Sequence, residues 1–387
     1  MNPSLLYLDY AAATPLDERV LRAMTPYMTD KFYNPSSPYA PALTVRHEYE
    51  AAKDAIARTV GGRSTELIMT AGATESINLA FSSVTGHSIV SAIEHHAVQA
   101  AAKQRGDCTI LATDKRGRVS AEAIAKMIRP DTELVSIALA NNELGTIQPL
   151  RDIASVIERE RHARRSRGDT RPIYLHSDAS QGLGLLDIQV ARLGVDMLTM
   201  NAGKVYGPKQ VGALWVSPRV HLAPLIVGGG QERGLRSGTE NVAGTIGFAE
   251  ALRLAEKKRK NEARRLHEIR DSMQQTLTEK FPQAVVSGHM KHRLPNFLHM
   301  SFPGIDAERV LFTLEARGVL VATGSACAAN KGTRSHVLEA IGLPEEVADG
   351  SIRISLGRFS THRSCQEAVT IITEVISAEY ARAGGAL

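Results

Sequence analysis

The sequence predicts an α/β protein built on a mostly parallel sheet with helices on both faces. Short, continuous apolar runs recur through the first two thirds of the chain, and segments of helix-forming composition separate them. Strands that are buried on both faces carry runs of this kind. The runs also end in polar residues, and ligands of open α/β sheets bind beyond the carboxyl ends of the strands. The chain has 387 residues, which is long enough for roughly two or three domains. Its composition, 43% hydrophobic and 22% charged, is that of a globular protein.

The predicted elements alternate in order along the chain. A helix is expected over 45–60, where apolar residues have helical spacing. A strand at 66–70 then leads through a turn of small residues into a helix that extends to about residue 84. A turn of this kind is an anion site, because backbone N–H groups and the helix dipole face the ligand, although most such turns are only helix caps. The remaining predictions are strands at 88–93, 134–140, 173–178, 197–200 and 211–216 and a helix at 150–161.

The pattern changes after about residue 241. A helix there continues into a highly charged stretch, which predicts a long, solvated connecting helix and then a smaller α+β domain. We therefore place a domain boundary near residue 256. The charged stretch 158–171 is predicted to be a solvated helix end with a surface loop, or else a partner-binding surface. The glycine-rich segment 228–239 permits close approach to a ligand or a neighbouring chain, and a mobile surface loop is the alternative.

Composition argues against several classes of protein. The excess of 46 Lys and Arg over 41 Asp and Glu gives a net charge of only +5, so nucleic-acid binding is not indicated. The amino terminus lacks a basic region followed by an apolar one, and no stretch approaches about eighteen apolar residues, so we expect a cytoplasmic protein without a membrane segment. Three cysteines, Cys108, Cys327 and Cys365, lack metal-ligand spacing and are odd in number, which predicts neither a zinc site nor a disulfide framework.

Lys204 is the first candidate catalytic residue. It follows a buried apolar run and stands among small residues before a turn at Gly207-Pro208. A partly desolvated lysine has a lowered pKa, which suits it to form a Schiff base with an aldehyde cofactor. The alternative is an ordinary solvated lysine in a loop.

Other polar residues follow neighbouring strands and are expected to face the same crevice as Lys204. Each has an ordinary alternative as a surface histidine, a turn former or a helix cap. Together, however, they supply a phosphate site, an imidazole for ring stacking and a carboxylate for a pyridinium nitrogen. With the lysine, these groups describe a site for pyridoxal phosphate. The residues are Thr74, His95, Asn142, Asp178 and Gln181.

Two candidates come from the C-terminal third. Cys327 lies in a run of small residues near Lys331, which predicts an accessible, movable loop in which a thiolate gains reactivity; most cytosolic cysteines, by contrast, are inert. Arg353 lies in a strand where Ile352 and Ile354 alternate with polar residues, so we expect its side chain to point away from the apolar face. A planar guanidinium there suits an amino-acid carboxylate, and a surface salt bridge is the alternative.

At this point the chain resembles the cysteine desulfurases of the NifS/IscS type, in the class V aminotransferase group of fold-type I pyridoxal phosphate enzymes. The matching stretches occur in the family's order over essentially the whole length. They are LDYAAATP, NPSSP, TAGATESINLA, IEHHAV, NNELGTIQP, LHSDASQ, GKVYGPKQVGAL, GGGQERGLRSGTENVAG, TGSACAANKGTRSHVL and SIRISLGRF.

The resemblance implies the architecture of a homodimer. A large cofactor domain with a seven-stranded, mostly parallel sheet would span residues 14–256. A small domain would combine residues 1–13 with 257–387 and carry the mobile cysteine loop at about 322–336.

The resemblance also implies a role for each site residue. Lys204 would bind the cofactor aldehyde, and Cys327 would accept sulfur. His95 would stack on the ring and move protons, and Asp178 would pair with the ring nitrogen. The remaining implied roles are Gln181 and Asn142 near the ring oxygen, Thr74 on the phosphate, Thr239 on the phosphate from the other subunit, and Arg353 with Asn142 on the substrate carboxylate.

One stretch departs from the family's pattern. The family usually reads Ser-x-His-Lys where this chain has Asn201-Ala202-Gly203-Lys204, so both the hydroxyl and the imidazole that normally help hold the phosphate are absent. Asn201 still donates a hydrogen bond, and the backbone at Gly203 permits close approach, but neither adds positive charge.

The implied reaction removes sulfur from L-cysteine, leaving L-alanine and a persulfide on Cys327. The sulfur would pass to an acceptor protein, either an iron–sulfur scaffold with its transient iron–sulfur cluster or a carrier for tRNA thiolation. The alternatives on the same fold are a selenocysteine lyase or an aminotransferase. A cofactor-poor, partner-binding homologue is the alternative from another class, because the phosphate ligands beside Lys204 are missing.

Overall fold

The structure is a computed structural model that describes residues 5–324 and 334–384. Its strands, in chain order, are β1 Leu6–Tyr7, β2 Leu67–Thr70, β3 His87–Ser91, β4 Cys108–Leu111, β5 Thr132–Ser136, β6 Tyr174–Asp178, β7 Met197–Asn201, β8 Gly212–Val216, β9 Val285–Ser287, β10 Phe297–Ser301, β11 Val319–Leu320 and β12 Ser351–Ser355. Its α-helices are α1 Glu18–Met24, α2 Ala40–Thr59, α3 Ala73–Phe81, α4 His96–Arg105, α5 Ala121–Met127, α6 Leu150–Ser166, α7 Val190–Leu193, α8 Val242–Lys280, α9 Ala307–Ala316, α10 His336–Ala340, α11 Glu345–Ala348 and α12 His362–Arg382.

Seven strands form the central sheet, in the order β2-β8-β7-β6-β5-β3-β4. The neighbours from β7 to β4 are parallel, and only β8 runs against its two neighbours. Because β8 is antiparallel to both β2 and β7, those two strands run in the same direction. The carboxyl ends of six strands therefore meet at one edge, as the continuous apolar runs predict.

Helices cover both faces of this sheet, because side chains on both sides of the strands are apolar. On one face, α2, α6 and α8 pack residues such as Ile56, Ile153 and Phe248 against the strands. On the other face, α3 and α4 contribute Phe81 and Val98. The α/β architecture with helices on both faces is as expected from the sequence.

A second core lies in the C-terminal third. It is formed by a three-stranded antiparallel sheet in the order β12-β10-β9, with α9 and α12 packed against it. Strand β1 pairs in parallel with β11, and Leu8 lies in this second core, so the start of the chain packs with its end. The proposed division at residue 256 stays a prediction.

Helix α8 joins the two cores. It has 39 residues and is therefore about 58 Å long at about 1.5 Å per residue. Phe248 and Leu252 belong to the first core, whereas Leu266 and Met273 belong to the second. No helix in the described ranges is long and apolar enough to cross a membrane.

The charged stretch 158–171 is not simply a solvated surface. Helix α6 continues to Ser166, and the Arg164 side chain is 1% exposed. Its guanidinium donates to the carbonyls of Pro172 at 3.0 Å and Arg129 at 3.1 Å, and it also bonds to Glu160. Most of the stretch is exposed, as a solvated helix end with a surface loop requires, whereas Arg164 is buried because backbone carbonyls and Glu160 supply acceptors for its cation.

Candidate active site

The candidate active site lies beyond the ends of β6 and β7. These strands are parallel neighbours, with Asp178 opposite Thr199. Strand β6 ends at Asp178, and a short 3-10 turn, Ala202–Lys204, follows the end of β7. The sheet therefore places a carboxylate and a lysine at adjacent strand ends.

The segment after β1 crosses this strand edge and contacts Lys204. The Lys204 Nζ donates to the carbonyl oxygens of Ala11 at 2.8 Å and Ala12 at 2.7 Å. The Gln181 side-chain amide donates to the same Ala11 oxygen at 3.1 Å. The structure thus brings together Lys204 and Gln181, two residues that the sequence assigned to one crevice.

The electrostatic surroundings of Lys204 favour its neutral amine. Its pKa is lowered chiefly by burial and then by the positive charge of Arg353, whereas Asp178 and Asp9 act in the opposite direction. Across the described residues, no carboxylate lies within 4.0 Å of the amine. A lysine in such a place is a better nucleophile near neutral pH than a solvated one.

His95 is the N-cap of α4. Its Nδ1 accepts a hydrogen bond from the backbone N–H of Ala97 at 3.1 Å, so the neutral ring carries its proton on Nε2. The residue keeps exposed surface, yet loss of solvent around the ring lowers its pKa. Asp178 partly opposes this shift and Lys204 reinforces it. The ring is therefore neutral at pH 7 and lies within electrostatic reach of the Lys204 and Asp178 side chains.

Arg353 lies on the face of β12 opposite the second core, as the alternation in the sequence predicts, because Ile352 and Ile354 belong to that core. All five residues of β12 are nevertheless buried, and Arg353 is 2% exposed. Its guanidinium binds the Asp9 carboxylate at 2.6 Å and the Asn142 carbonyl at 3.0 Å, while its Nε has no partner within the described residues. The segments around Asp9 and Asn142 therefore cover this face of the small sheet.

The predicted phosphate residues Thr74 and Thr239 lie near the carboxyl end of β2. Thr74 is exposed in the first turn of α3, directly beyond β2. Thr239 is exposed and lines a cavity of about 160 Å³ together with Ala71. The Asn201 Oδ1 accepts from the Gly203 N–H at 3.0 Å, so this acceptor is used locally. Among the described residues, no hydrogen bond links the Thr74 or Thr239 side chain to Lys204.

Cys327 lies outside the described residues, as does most of the predicted mobile loop at about 322–336. The chain on the carboxyl side of this gap is anchored near the site. Ser335 caps α10 and donates to the buried Glu143 carboxylate, and His336 Nε2 lies 3.0 Å from the Glu94 carbonyl. The assignment of Cys327 stays a prediction.

The chain matches the family described as Aminotransferase class-V over residues 6–367. It belongs to the class-V aminotransferase family. Cysteine desulfurase IscS 1 of Archaeoglobus fulgidus is 40% identical to it over 96% of each chain. Cysteine desulfurase IscS of Dictyoglomus turgidum is 39% identical over 96% of this chain and 94% of its own.

Solved structures of class-V relatives share the fold. A structure named NifS-like protein has a TM-score of 0.88 at 33% identity, covering 97% of this chain and 100% of its own. A second, described as SspA in complex with cysteine, has a TM-score of 0.76 at 36% identity, covering 92% and 99%. The predicted family resemblance and the fold-type I architecture are confirmed.

Class-V aminotransferases generally depend on pyridoxal phosphate, and the residues present fit that cofactor. Lys204 is a partly desolvated amine without a carboxylate partner among the described residues. Both features favour the neutral amine, which is the form that reacts with an aldehyde. Asp178 is a carboxylate one strand away, suited to a pyridinium nitrogen. The backbone N–H groups that open α3 suit a phosphate. The described residues hold no cluster of His, Cys, Asp and Glu that could bind a metal.

Glu94, the residue before His95, is a buried carboxyl at the site that was not among the predicted residues. Its side chain is 1% exposed, and one oxygen accepts from the Ala138 N–H at 2.9 Å. Burial raises its pKa to about 8, so the carboxyl is largely neutral at pH 7. The only signal in the sequence was a carboxylate at the end of an apolar run, which is equally typical of a solvated strand end.

Glu232, which anchors the glycine-rich segment 228–239, was also not among the predicted residues. Its carboxylate binds the Lys53 ammonium through both oxygens at 3.0 Å. It also accepts from the Tyr49 hydroxyl at 2.6 Å and the Met69 N–H at 2.9 Å. Glu232 has a φ of 46°, a left-handed conformation that costs energy in a non-glycine residue. These contacts offset that strain and tie the segment to α2 and β2.

Substituting Glu232→Gln is therefore expected to lower the free energy of unfolding by about 3–5 kcal/mol, because Lys53 would remain buried without its counter-charge. Chemical denaturation followed by circular dichroism measures the change. Asp54→Asn is the matched control on α2, since Asp54 pairs with Arg58 at the surface and its loss should cost less than about 1 kcal/mol. A loss for Glu232→Gln no larger than for the control would contradict the anchoring role.

Proposed function

We propose that this chain is a pyridoxal phosphate-dependent cysteine desulfurase, which converts L-cysteine to L-alanine and receives the sulfur as a persulfide on Cys327. The observation that carries the proposal is the buried Lys204 amine beside Asp178, in a chain about 40% identical to proteins named cysteine desulfurase. A structural role alone does not require a desolvated lysine without a carboxylate partner.

Each residue around Lys204 has its own proposed role at the cofactor. When bound, pyridoxal phosphate supplies an electron sink beside the α-carbon of the substrate. Lys204 would hold the cofactor aldehyde, and Asp178 would hold a proton on the ring nitrogen. His95 would stack on the ring, and its lowered pKa would allow it to accept a proton. Gln181, Asn142, Thr74, Asn201 and Thr239 complete the proposed cofactor contacts.

Arg353 is proposed to hold the substrate carboxylate, together with Asn142. The guanidinium is fixed by Asp9 and the Asn142 carbonyl, and its Nε has no partner among the described residues. A fixed planar donor binds a carboxylate with little further loss of side-chain entropy. Asp9 partly neutralises the guanidinium, so the substrate must share the cation with it.

Sulfur transfer then balances without an added oxidant. The thiolate of Cys327 attacks the sulfur of bound L-cysteine, a new S–S bond forms and the Cβ–S bond breaks. The electron pair of the broken bond stays on carbon, which takes up a proton to give alanine. The products are alanine and Cys327 as a persulfide, and a later thiol acceptor regenerates the cysteine.

The test is to incubate the purified full chain with pyridoxal phosphate and L-cysteine under reducing conditions. We expect L-alanine and sulfide in equal amounts. Production of alanine from selenocysteine only would indicate a selenocysteine lyase. Amino-group transfer to a keto acid without sulfide would indicate an aminotransferase, and no turnover despite binding of a sulfur-acceptor protein would indicate a cofactor-poor homologue.

Several further features are part of the proposal. The active unit is a homodimer, in which Thr239 reaches the cofactor phosphate of the partner subunit. The persulfide passes to an iron–sulfur scaffold or a sulfur carrier, and the protein acts in the cytoplasm without binding a membrane or nucleic acid. Size-exclusion chromatography with light scattering tests the dimer directly.

A further inference from the structure

The turn between β7 and β8 brings a second lysine beside Lys204. Gly203 stands where the family usually has histidine, and an ideal Cβ at Gly203 would lie 3.2 Å from the Lys209 Cδ and 3.3 Å from the Asn201 Oδ1. The Lys209 side chain therefore crosses the space that a side chain at residue 203 would enter. The absence of a side chain at Gly203 makes that path available.

The register of the sheet places this turn against the start of α3. Gly212 is opposite Thr70 on one side and Asn201 on the other. A Cβ at Gly212 would lie 2.7 Å from the Gly72 Cα, so the β8 backbone touches the residue that precedes α3. Lys209 is three residues before Gly212, so the turn that carries it continues directly into the strand that touches the start of α3.

The cavity at this place supports the same arrangement. Gln210 and Val211, which follow Lys209, line the cavity of about 160 Å³ together with Ala71 and Thr239. Ala71 is two residues before α3, and Thr239 is a proposed phosphate ligand. The turn that carries Lys209 therefore borders both groups of proposed phosphate donors.

Lys209 is also a cation without a carboxylate partner among the described residues. Its Nζ donates to the Thr14 carbonyl, and no carboxylate lies within 4.0 Å of it in the described ranges. Partial burial lowers its pKa, although the residue keeps exposed surface. By contrast, Arg236 at the same helix start is paired with Glu75 at 2.9 Å. The other lysine here, Lys204, is already assigned to the cofactor aldehyde.

We propose that Lys209 is a phosphate-binding residue of this chain and supplies positive charge, from the turn after Lys204, to a site that lacks the family's histidine. The inference rests on the proposed function, since it concerns the same cofactor. A lysine ammonium is a point charge on a flexible stem, so it reaches a phosphate by rotation of its side chain. Charge-assisted hydrogen bonds to a phosphate are about twice as strong as neutral ones.

The experiment measures cofactor affinity rather than turnover. Apo protein is titrated with pyridoxal phosphate and, separately, with pyridoxal, which lacks the phosphate, and the absorbance of the bound cofactor is followed. For Lys209→Met, we expect Kd for pyridoxal phosphate to rise about 10- to 100-fold, with a change below about threefold for pyridoxal. Lys126→Met, on exposed α5, is the matched control and should change neither value.

A second substitution keeps the proposal falsifiable if Lys209→Met is poorly folded. Gly203→His restores the family's imidazole but enters the space of the Lys209 stem. We expect it to improve pyridoxal phosphate affinity strongly in the Lys209→Met background and only weakly in the unaltered chain. An equal loss of affinity for pyridoxal phosphate and for pyridoxal in Lys209→Met would overturn the role of Lys209 but not the proposed function. Additive effects of Lys209→Met and Gly203→His would do the same. Failure of the unaltered chain to bind pyridoxal phosphate would overturn the proposed function as well.

Discussion

Replacing Lys204 by alanine is expected to lower the rate of alanine formation from L-cysteine by at least about ten-thousandfold. The lysine is the proposed covalent attachment point of the cofactor, and the 3-10 turn Ala202–Lys204 at the end of β7 contains no other lysine. Amino-acid analysis of the reaction measures the rate. Reduction with borohydride followed by mass spectrometry should find the cofactor attached to the unaltered chain and not to the variant.

The loss should arise from chemistry and not from unfolding. Lys204 contributes two hydrogen bonds to backbone carbonyls of Ala11 and Ala12, a modest part of a large core. Circular dichroism of Lys204→Ala should therefore match the unaltered chain. Lys258→Ala is the control, because Lys258 is exposed and borders a cavity of about 200 Å³ beside Lys204. Comparable alanine formation by Lys204→Ala and the control would refute the assignment.

The sequence predicts the central sheet well because its information is local. Strand β6 begins with apolar residues and ends at Asp178, and the largely apolar strand β7 ends at Asn201, three residues before Lys204. The parallel arrangement then follows from the helices between them, and the common edge of the strand ends follows from the parallel arrangement. The sequence alone therefore assigns Asp178 and Lys204 to the same edge of the sheet.

The sequence is uninformative where burial depends on contacts distant in sequence. The alternation of Arg353 with isoleucines predicts that it points away from the apolar face, but not that Asp9 and Asn142 bury it from 344 and 211 residues away. Glu232 is buried by Lys53, 179 residues away. Local periodicity carries no information about such partners, because a charged residue is buried only when the fold delivers its counter-charge.

The same limit applies to the phosphate end of the proposed site. The sequence identifies what is absent at Gly203, since a motif compares residues at fixed spacing. It does not identify Lys209 as a phosphate ligand, because the path of that side chain past Gly203 depends on the turn geometry. Lys209 is only five positions from Lys204, yet its path past Gly203 is visible only in the distances of the structure.

The structure also narrows the choice among the three cysteines. Cys365 is 1% exposed, and burial raises its pKa to about 11, so only about one molecule in ten thousand carries the thiolate at pH 7. Cys108 begins β4, at the edge of the sheet opposite the carboxyl ends. Four strand spacings of about 4.8 Å separate β4 from β7, a distance of about 19 Å. Neither cysteine suits a sulfur acceptor at Lys204.

Cys327→Ala is therefore expected to lower sulfur release from L-cysteine by about a thousandfold or more, with little change in cofactor binding, because Lys204 and Asp178 remain in place. Trapping of the persulfide by alkylation and mass spectrometry should find the extra sulfur on Cys327 in the unaltered chain. The double variant Cys108→Ala, Cys365→Ala should retain the persulfide and most of the activity. Sulfide release at the normal rate from Cys327→Ala would mean that the substrate sulfur leaves without a protein thiol, and the proposed transfer step would have to be abandoned.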